Sequence, residues 1–221
     1  MENQRHSYLS RSHLLKMIMF AQRAVDSSIK SYEFGALEIH WLFWKDHQGW
    51  LNLNRRIADR GRTLRSARTL AIDSSQMVDS VLRIYGALQV MYAAAAEIVH
   101  SAAQMDELDQ TRHSPQLGEL GGFVNGLLRL CTVALFNEEV RHARMILLDR
   151  RGRQQFKMAL CRTQYELIRS KGASARFELA IAAALEQIAE QAYEIAQALV
   201  PRVFEEEDHL AAASEVTCFA A

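Results

Sequence analysis

Apolar residues recur along most of this chain at alternating spacings of three and four, the pattern of a helix that hides one face and wets the other. Leu14, Leu15, Ile18, Ala21, Val25 and Ile29 predict a helix over about 9–35, which Gly35 is placed to end. Ile39, Leu42, Phe43, Trp50, Leu53, Ile57 and Leu64, set among charges, predict a second over about 37–68. After a break near Ala71 to Ser75, where Asp73 or Ser74 suits an N-cap, a third helix runs to about Met105. Its seam is Met77, Val81, Ile84, Leu88, Met91, Ala95 and Ile98.

Residues 106–122, DELDQTRHSPQLGELGG, combine a proline, several glycines and broken periodicity, and read as a linker. The pattern restarts at Phe123, Leu127, Leu130, Val133 and Ala134, breaks near Asn137, and continues as a charged helix over about 138–170. A short turn, Lys171 to Ser174, leads into the last long run, Arg176 to Val200, with Ile181, Leu185, Ile188, Ala192, Ile195 and Leu199 as its seam. Pro201 is expected to end that helix and leave a short tail containing the acidic stretch Glu205 to His209. On another face of the same helix, Glu186, Glu190 and Glu194 repeat every four residues. Like charges so spaced cost only about 0.2–0.5 kcal/mol per pair in water. The line can therefore stand as a solvated face or as a seat for a cation, and the frequency of carboxylates on exposed faces favours the first.

Two prolines and ten glycines in 221 residues leave few breakers, which makes the fold class all-α. The length suits one large domain or two small ones. Lys and Arg number 26 against 26 Asp and Glu, so no net field draws the protein to nucleic acid or to an anionic membrane. Cys131, Cys161 and Cys218 form an odd count without metal-ligand spacing, which suits a reducing compartment. The opening MENQRHSYLSRSH lacks the apolar core of a signal peptide, and LLKMIMF falls far short of the ~18 apolar residues of a spanning helix. Together these predict a cytoplasmic protein without membrane insertion.

Helix, helix, helix, linker, helix, helix, helix suggests duplication. Asp46-His-Gln-Gly49 matches Asp149-Arg-Arg-Gly152 in the middle helices. In the third helices Ile84, Leu88 and Ile98 fall on Ile181, Leu185 and Ile195, with one mismatch, Val81 on Glu178. The registers differ by 103 and 97 residues, so the second copy has lost six residues between them. Two tandem three-helix bundles are predicted: residues 1–105, a linker over 106–122, residues 123–200, and a tail over 201–221. The same alignment puts Glu186 on Gln89, Glu190 on Ala93 and Glu194 on Glu97, so the acidic line exists in one half only.

Leu185-Glu-Gln-Ile-Ala-Glu190, followed by Gln-Ala-Tyr-Glu-Ile-Ala, resembles the Leu-Glu-Arg-Ile-Gly-Asp type motif on the third helices of the PhoU family, the regulators associated with phosphate transport systems. Ala134 to Ala143 leading to Asp149, and the counterpart ending at Asp46, are similar to that family's middle helices. The resemblance covers nearly the whole chain and implies two three-helix repeats. It further implies a regulatory, non-catalytic role through contact with a phosphate transporter component or a sensor kinase. It implies a divalent or iron-type metal ion at Glu186 and Glu190, with Glu194 next in line. Leu88-Gln-Val-Met-Tyr-Ala93 lacks both acids, so the implication reaches the second repeat alone.

Two Glu-x-x-His pairs, Glu97 to His100 and Glu139 to His142, have the one-turn spacing of carboxylate-bridged di-iron bundle enzymes, or are unrelated surface residues. Trp41, Phe43, Trp44 and Trp50 occupy more faces than one bundle can bury, and read either as a partner or homodimer contact or as filling between the repeats. Arg55, Arg56, Arg60, Arg62, Arg65 and Arg68, and Arg141, Arg144, Arg150, Arg151 and Arg153, suit a solvated face better than a phosphate site. No glycine-rich phosphate loop or hydrolase nucleophile motif occurs, so the expectation is a protein that is not an enzyme, with the di-iron type bundle enzyme as the catalytic alternative and a structural helical adaptor as another.

Overall fold

Strong helix formers fill each stretch between breaks, and a computed structural model of the chain is helical at nearly all the residues it describes, the breaks falling at Gly35, Ser114, Glu139, Asp149 and 172–174. The described residues are 2–35, 37–67, 74–107, 114–137, 139–170 and 172–218, with side chains described within 12–35, 41–59, 79–107, 114–137, 139–170 and 172–200. Among them seven helices follow in order: α1 (Glu2–Phe34), α2 (Leu37–Ala67), α3 (Ser74–Glu107), α4 (Pro115–Asn137), α5 (Val140–Leu148), α6 (Arg150–Ser170) and α7 (Ala175–Cys218). Gly35 ends α1 as expected. Its φ of 62° is a left-handed conformation that a side chain would strain, and its N–H donates to the Ser31 carbonyl at 3.0 Å.

The seams become the core. Ile84, Leu88, Met91, Ala95 and Ile98 of α3 are buried, and so are Ile181, Leu185, Ile188, Ala192, Ile195 and Leu199 of α7. Each fully buried aliphatic side chain contributes about 1.5–3 kcal/mol. α3 and α7 pack against each other in the centre, with α1 and α2 on the α3 side and α4, α5 and α6 on the α7 side, and α1 also meets α4. The two repeats, α1 to α3 and α4 to α7, thus share one connected apolar cluster that draws on all seven helices. Val81, the seam residue opposite the mismatch, is partly buried against it.

Three boundaries differ from the periodicity. The helix α4 starts at Pro115, inside the expected linker, and buries Leu117 and Leu120. Proline is preorganised for the first helical position, where its missing N–H is no loss. The glycines there serve packing: a Cβ on Gly121 would lie 2.9 Å from Ile29, and one on Gly118 would lie 2.8 Å from the Glu33 carboxylate. Next, the charged helix expected over 138–170 breaks at Asp149 into α5 and α6, because Asp149 Oδ1 accepts the Gly152 N–H at 2.8 Å and caps a new helix. Finally, Pro201 lies within α7, which runs on to Cys218. A proline removes one backbone donor and bends a helix, and the run FEEEDHLAAA beyond it is rich in helix formers. The proposed N-cap Asp73, and the side chains of Ile39, Leu64, Met77, Glu205 to His209 and Cys218, lie outside the described residues.

α4 is the one described helix long and apolar enough to cross a bilayer by length and composition. Here it is a core helix, with Val124, Leu127, Leu128, Cys131 and Leu135 buried.

Candidate functional site

The acidic line on α7 runs from a half-buried Glu186 to exposed Glu190 and Glu194. Glu194 Oε2 accepts a hydrogen bond from Arg83 Nη2 on α3 at 2.9 Å, an exposed pair of the kind that contributes about 0–1 kcal/mol. On the aligned face of α3, Gln89 Nε2 donates to Asn54 Oδ1 at 2.6 Å and lies 3.0 Å from the Tyr85 hydroxyl, tying α3 to α2. Ala93 is exposed.

Among the described residues, the buried carboxylate is Glu178, 1% exposed in the first turn of α7. Its Oε1 accepts the Tyr32 hydroxyl at 2.6 Å and the Ser114 N–H at 3.2 Å. These bonds join the end of α1, the start of α4 and the start of α7, and the N-terminal helix dipole favours a negative charge there. Spacing did not mark Glu178 as functional. Its only signal was the mismatch with Val81, a polar residue where the duplicate has an apolar one.

The middle helices divide their apolar residues between two faces. In α2, Phe43 and Trp50 point inward and stack on Tyr92 of α3, with ring centroids 5.4 and 4.2 Å away. His47 Nδ1 lies 3.3 Å from the Tyr92 hydroxyl. Burial, with a smaller contribution from the Asp46 charge, pushes that phenol well above its ordinary range. Trp41, Leu42 and Trp44 point outward, 61%, 51% and 50% exposed, and the Lys45 ammonium sits 4.9 Å above the Trp41 ring. The aromatic cluster is therefore part core and part surface. Beside α5, a groove of about 830 Å³ is lined by Leu127, Leu130, Val140 and Met145, with Arg141 and Arg144 beside them.

Arg55, Arg56, Arg141, Arg150 and Arg151 are exposed, in line with a solvated face. Arg153 is also exposed and lies 4.3 Å above the Tyr193 ring. The side chains of Arg60, Arg62, Arg65 and Arg68 lie outside the described residues. Cys131 is buried, its Sγ 3.3 Å from the Ala192 carbonyl, and burial pushes its thiol up to about 12. Cys161 is exposed.

No family model and no curated protein sequence matches this chain. Its arrangement of helices does match solved structures. PhoU from Pseudomonas aeruginosa superimposes with a TM-score of 0.76 over 89% of this chain and 96% of its own, at 16% identity. The chain has the PhoU fold. The phosphate transport system regulatory protein PhoU from Streptococcus pneumoniae aligns with a TM-score of 0.69 over 89% of this chain and 94% of its own, at 14% identity. The likeness is carried by helix order, length and packing, as the two-repeat reading of the seams predicts.

The PhoU resemblance implies a metal ion at Glu186 and Glu190. Among the described residues, no three His, Cys, Asp or Glu side chains come together to hold a metal ion. Hard cations take several oxygen ligands. Glu186 and Glu190 meet no third such ligand, Glu194 is turned to Arg83, and Gln89 is engaged with Asn54. The Glu-x-x-His pairs fare no better. Glu97 and His100 are exposed on α3, and Glu139, the N-cap of α5, approaches His142 to 2.9 Å without a further ligand among the described residues. A di-iron centre needs carboxylates facing inward from several helices.

Proposed function

We propose that this protein regulates phosphate uptake or phosphate-responsive signalling, acting in the cytoplasm through protein contacts and without catalysis of its own. The observation that carries the reading is the superposition on PhoU from Pseudomonas aeruginosa over 89% of the chain. The name of its counterpart from Streptococcus pneumoniae, a phosphate transport system regulatory protein, supports the same role. A phosphate transporter component or a sensor kinase is the partner in this reading. Large exposed apolar side chains, Trp41, Leu42 and Trp44, support an interaction surface on α2 and a homodimer formed through it.

The test is deletion of the gene in its host, read by phosphate uptake and by a phosphate-responsive reporter in phosphate-replete medium. Derepressed uptake or reporter activity, restored by the wild-type chain, is the expected result. Unchanged uptake and reporter activity would refute the regulatory reading. Sedimentation equilibrium of the wild type and of Trp41→Ser with Trp44→Ser tests the homodimer.

A further inference from the structure

The helix α6 carries two apolar seams. Phe156, Leu160, Thr163 and Leu167, spaced four, three and four, are buried in the fold. Met158, Cys161, Tyr165 and Ile168, spaced three, four and three, occupy another face and are exposed. Met158, Tyr165 and Ile168 are 66%, 59% and 64% exposed. Single outward apolar side chains are ordinary on a protein surface. Four in succession at the a and d positions of a coiled-coil register make a helix-pairing stripe.

The flanking e and g positions decide which helix such a stripe accepts. With Met158 at a, they are Gln155, Lys157, Arg162, Gln164 and Arg169: three cations, two amides and no carboxylate. Arg169 stays close to the stripe, its guanidinium 5.5 Å from the Tyr165 ring centroid and its Nη1 donating to the Tyr165 hydroxyl at 3.3 Å. Arg162 reaches Glu166, outside the stripe, at a loose 3.7 Å. Exposed pairs of this kind are weak and exchange readily for a better-placed carboxylate.

Charge argues against a second copy as the occupant. Pairing α6 with itself sets Lys157, Arg162 and Arg169 against one another in either orientation. The outward face of α2 is a poor match, because the corresponding flanks of Trp41 and Trp44 are Glu38, His40, Lys45 and His47, a single acid offset by a lysine on the same flank.

We propose that the outward stripe of α6 docks an amphipathic helix of another protein, one whose own apolar seam is flanked by Glu or Asp. This rests on the reading of the chain as a protein that works by contacts, and it names the chemistry of the partner. Apolar side chains supply the contact area, and the basic flanks exclude helices with basic edges.

The probe is a synthetic three-heptad peptide with Leu at a and d and Glu at e and g, fluorescein-labelled and titrated with the full chain by anisotropy. Its counterpart carries Lys at e and g. The acidic peptide should bind at least about tenfold more tightly than the basic one. Met158→Ser with Ile168→Ser should weaken acidic-peptide binding by about tenfold or more, and Arg162→Glu with Arg169→Glu should reverse the preference. Circular dichroism melts of each variant establish that it is folded, as substitution at exposed positions allows.

Equal binding of the two peptides, or binding indifferent to both double variants, overturns the proposal. So does a dimer in sedimentation that Met158→Ser with Ile168→Ser dissociates, which would make the occupant a second copy. The titration involves neither phosphate nor a transporter. A negative result therefore leaves a deletion phenotype standing, and an absent phenotype leaves a positive titration standing.

Discussion

Trp50 lies flat on Tyr92, ring centroids 4.2 Å apart and planes 5° from parallel, while Trp41, nine residues earlier on the same helix, is 61% exposed. Position on the helix surface, rather than residue type, decides what each indole contributes. Trp50→Ala should cost about 3–5 kcal/mol in urea unfolding, against less than about 0.5 kcal/mol for Trp41→Ala. The thiols separate in the same way. In a Cys218→Ser background, Cys161 should react with a thiol reagent in the native protein and Cys131 only on unfolding. Burial raises the Cys131 thiol from 9.0 to about 12, so the native state holds it neutral while the unfolded chain ionises earlier. Its contribution is fully present below pH 9 and is lost as pH rises through about 12. Tyr92 acts in the same direction from its ordinary 10.0 upward. Urea midpoints measured from pH 7 to pH 11 should fall on the alkaline side, and Cys131→Ala should flatten the fall while lowering the neutral value.

At the scale of elements, one repeated tetrapeptide has two physical meanings. Asp149 and Gly152 make a helix break, because Asp149 caps α6 and a Cβ at position 152 would run into its carboxylate. Asp46 and Gly49 lie inside the unbroken α2. There Asp46 pairs with Arg23 of α1 at 3.3 Å, and Gly49 leaves room for the Phe20 ring, which a Cβ would approach to 3.0 Å. The glycines of α4 show the same contrast side by side. Gly121 meets Ile29, whereas a Cβ on Gly122 would meet nothing within 4 Å. Gly121→Ala should therefore destabilise by about 1–3 kcal/mol through overpacking. Gly122→Ala, at an open helical site, should stabilise by about 0.5–1 kcal/mol. Thermal melts of the two variants check both signs.

For the whole molecule, the shared core makes the repeats interdependent. Cutting the chain after residue 105 would strip α7 from α3, the helix whose Met91, Ala95 and Ile98 are fully buried in the intact protein. The full chain should unfold in one transition with equal calorimetric and van't Hoff enthalpies, and residues 1–105 alone should give no cooperative melt. Glu178 is the polar counterpart of that coupling. Glu178→Ala leaves the Tyr32 hydroxyl and the Ser114 N–H without the acceptor they share, and should cost about 1–3 kcal/mol in the same melts.

The three helices of the first repeat, the seams of α3 and α7, the stop at Gly35 and the two-repeat plan were legible in the chain itself, whereas the break at Asp149 that makes the second repeat four helices was not. Each legible feature follows from local periodicity and backbone freedom, which neighbouring residues determine. The glycines of α4 were misread because close approach between helices looks, in one dimension, like a loop. The role of Glu178 was hidden because its partners lie 146 and 64 residues away. Glu186, Glu190 and Glu194 show the limit most directly. Helical spacing alone aligned them, but whether a line of carboxylates meets a cation, an arginine or water depends on what the opposite helix brings. Here α3 brings Arg83 to Glu194, and its Gln89 is held by Asn54, an arrangement that only packing could decide.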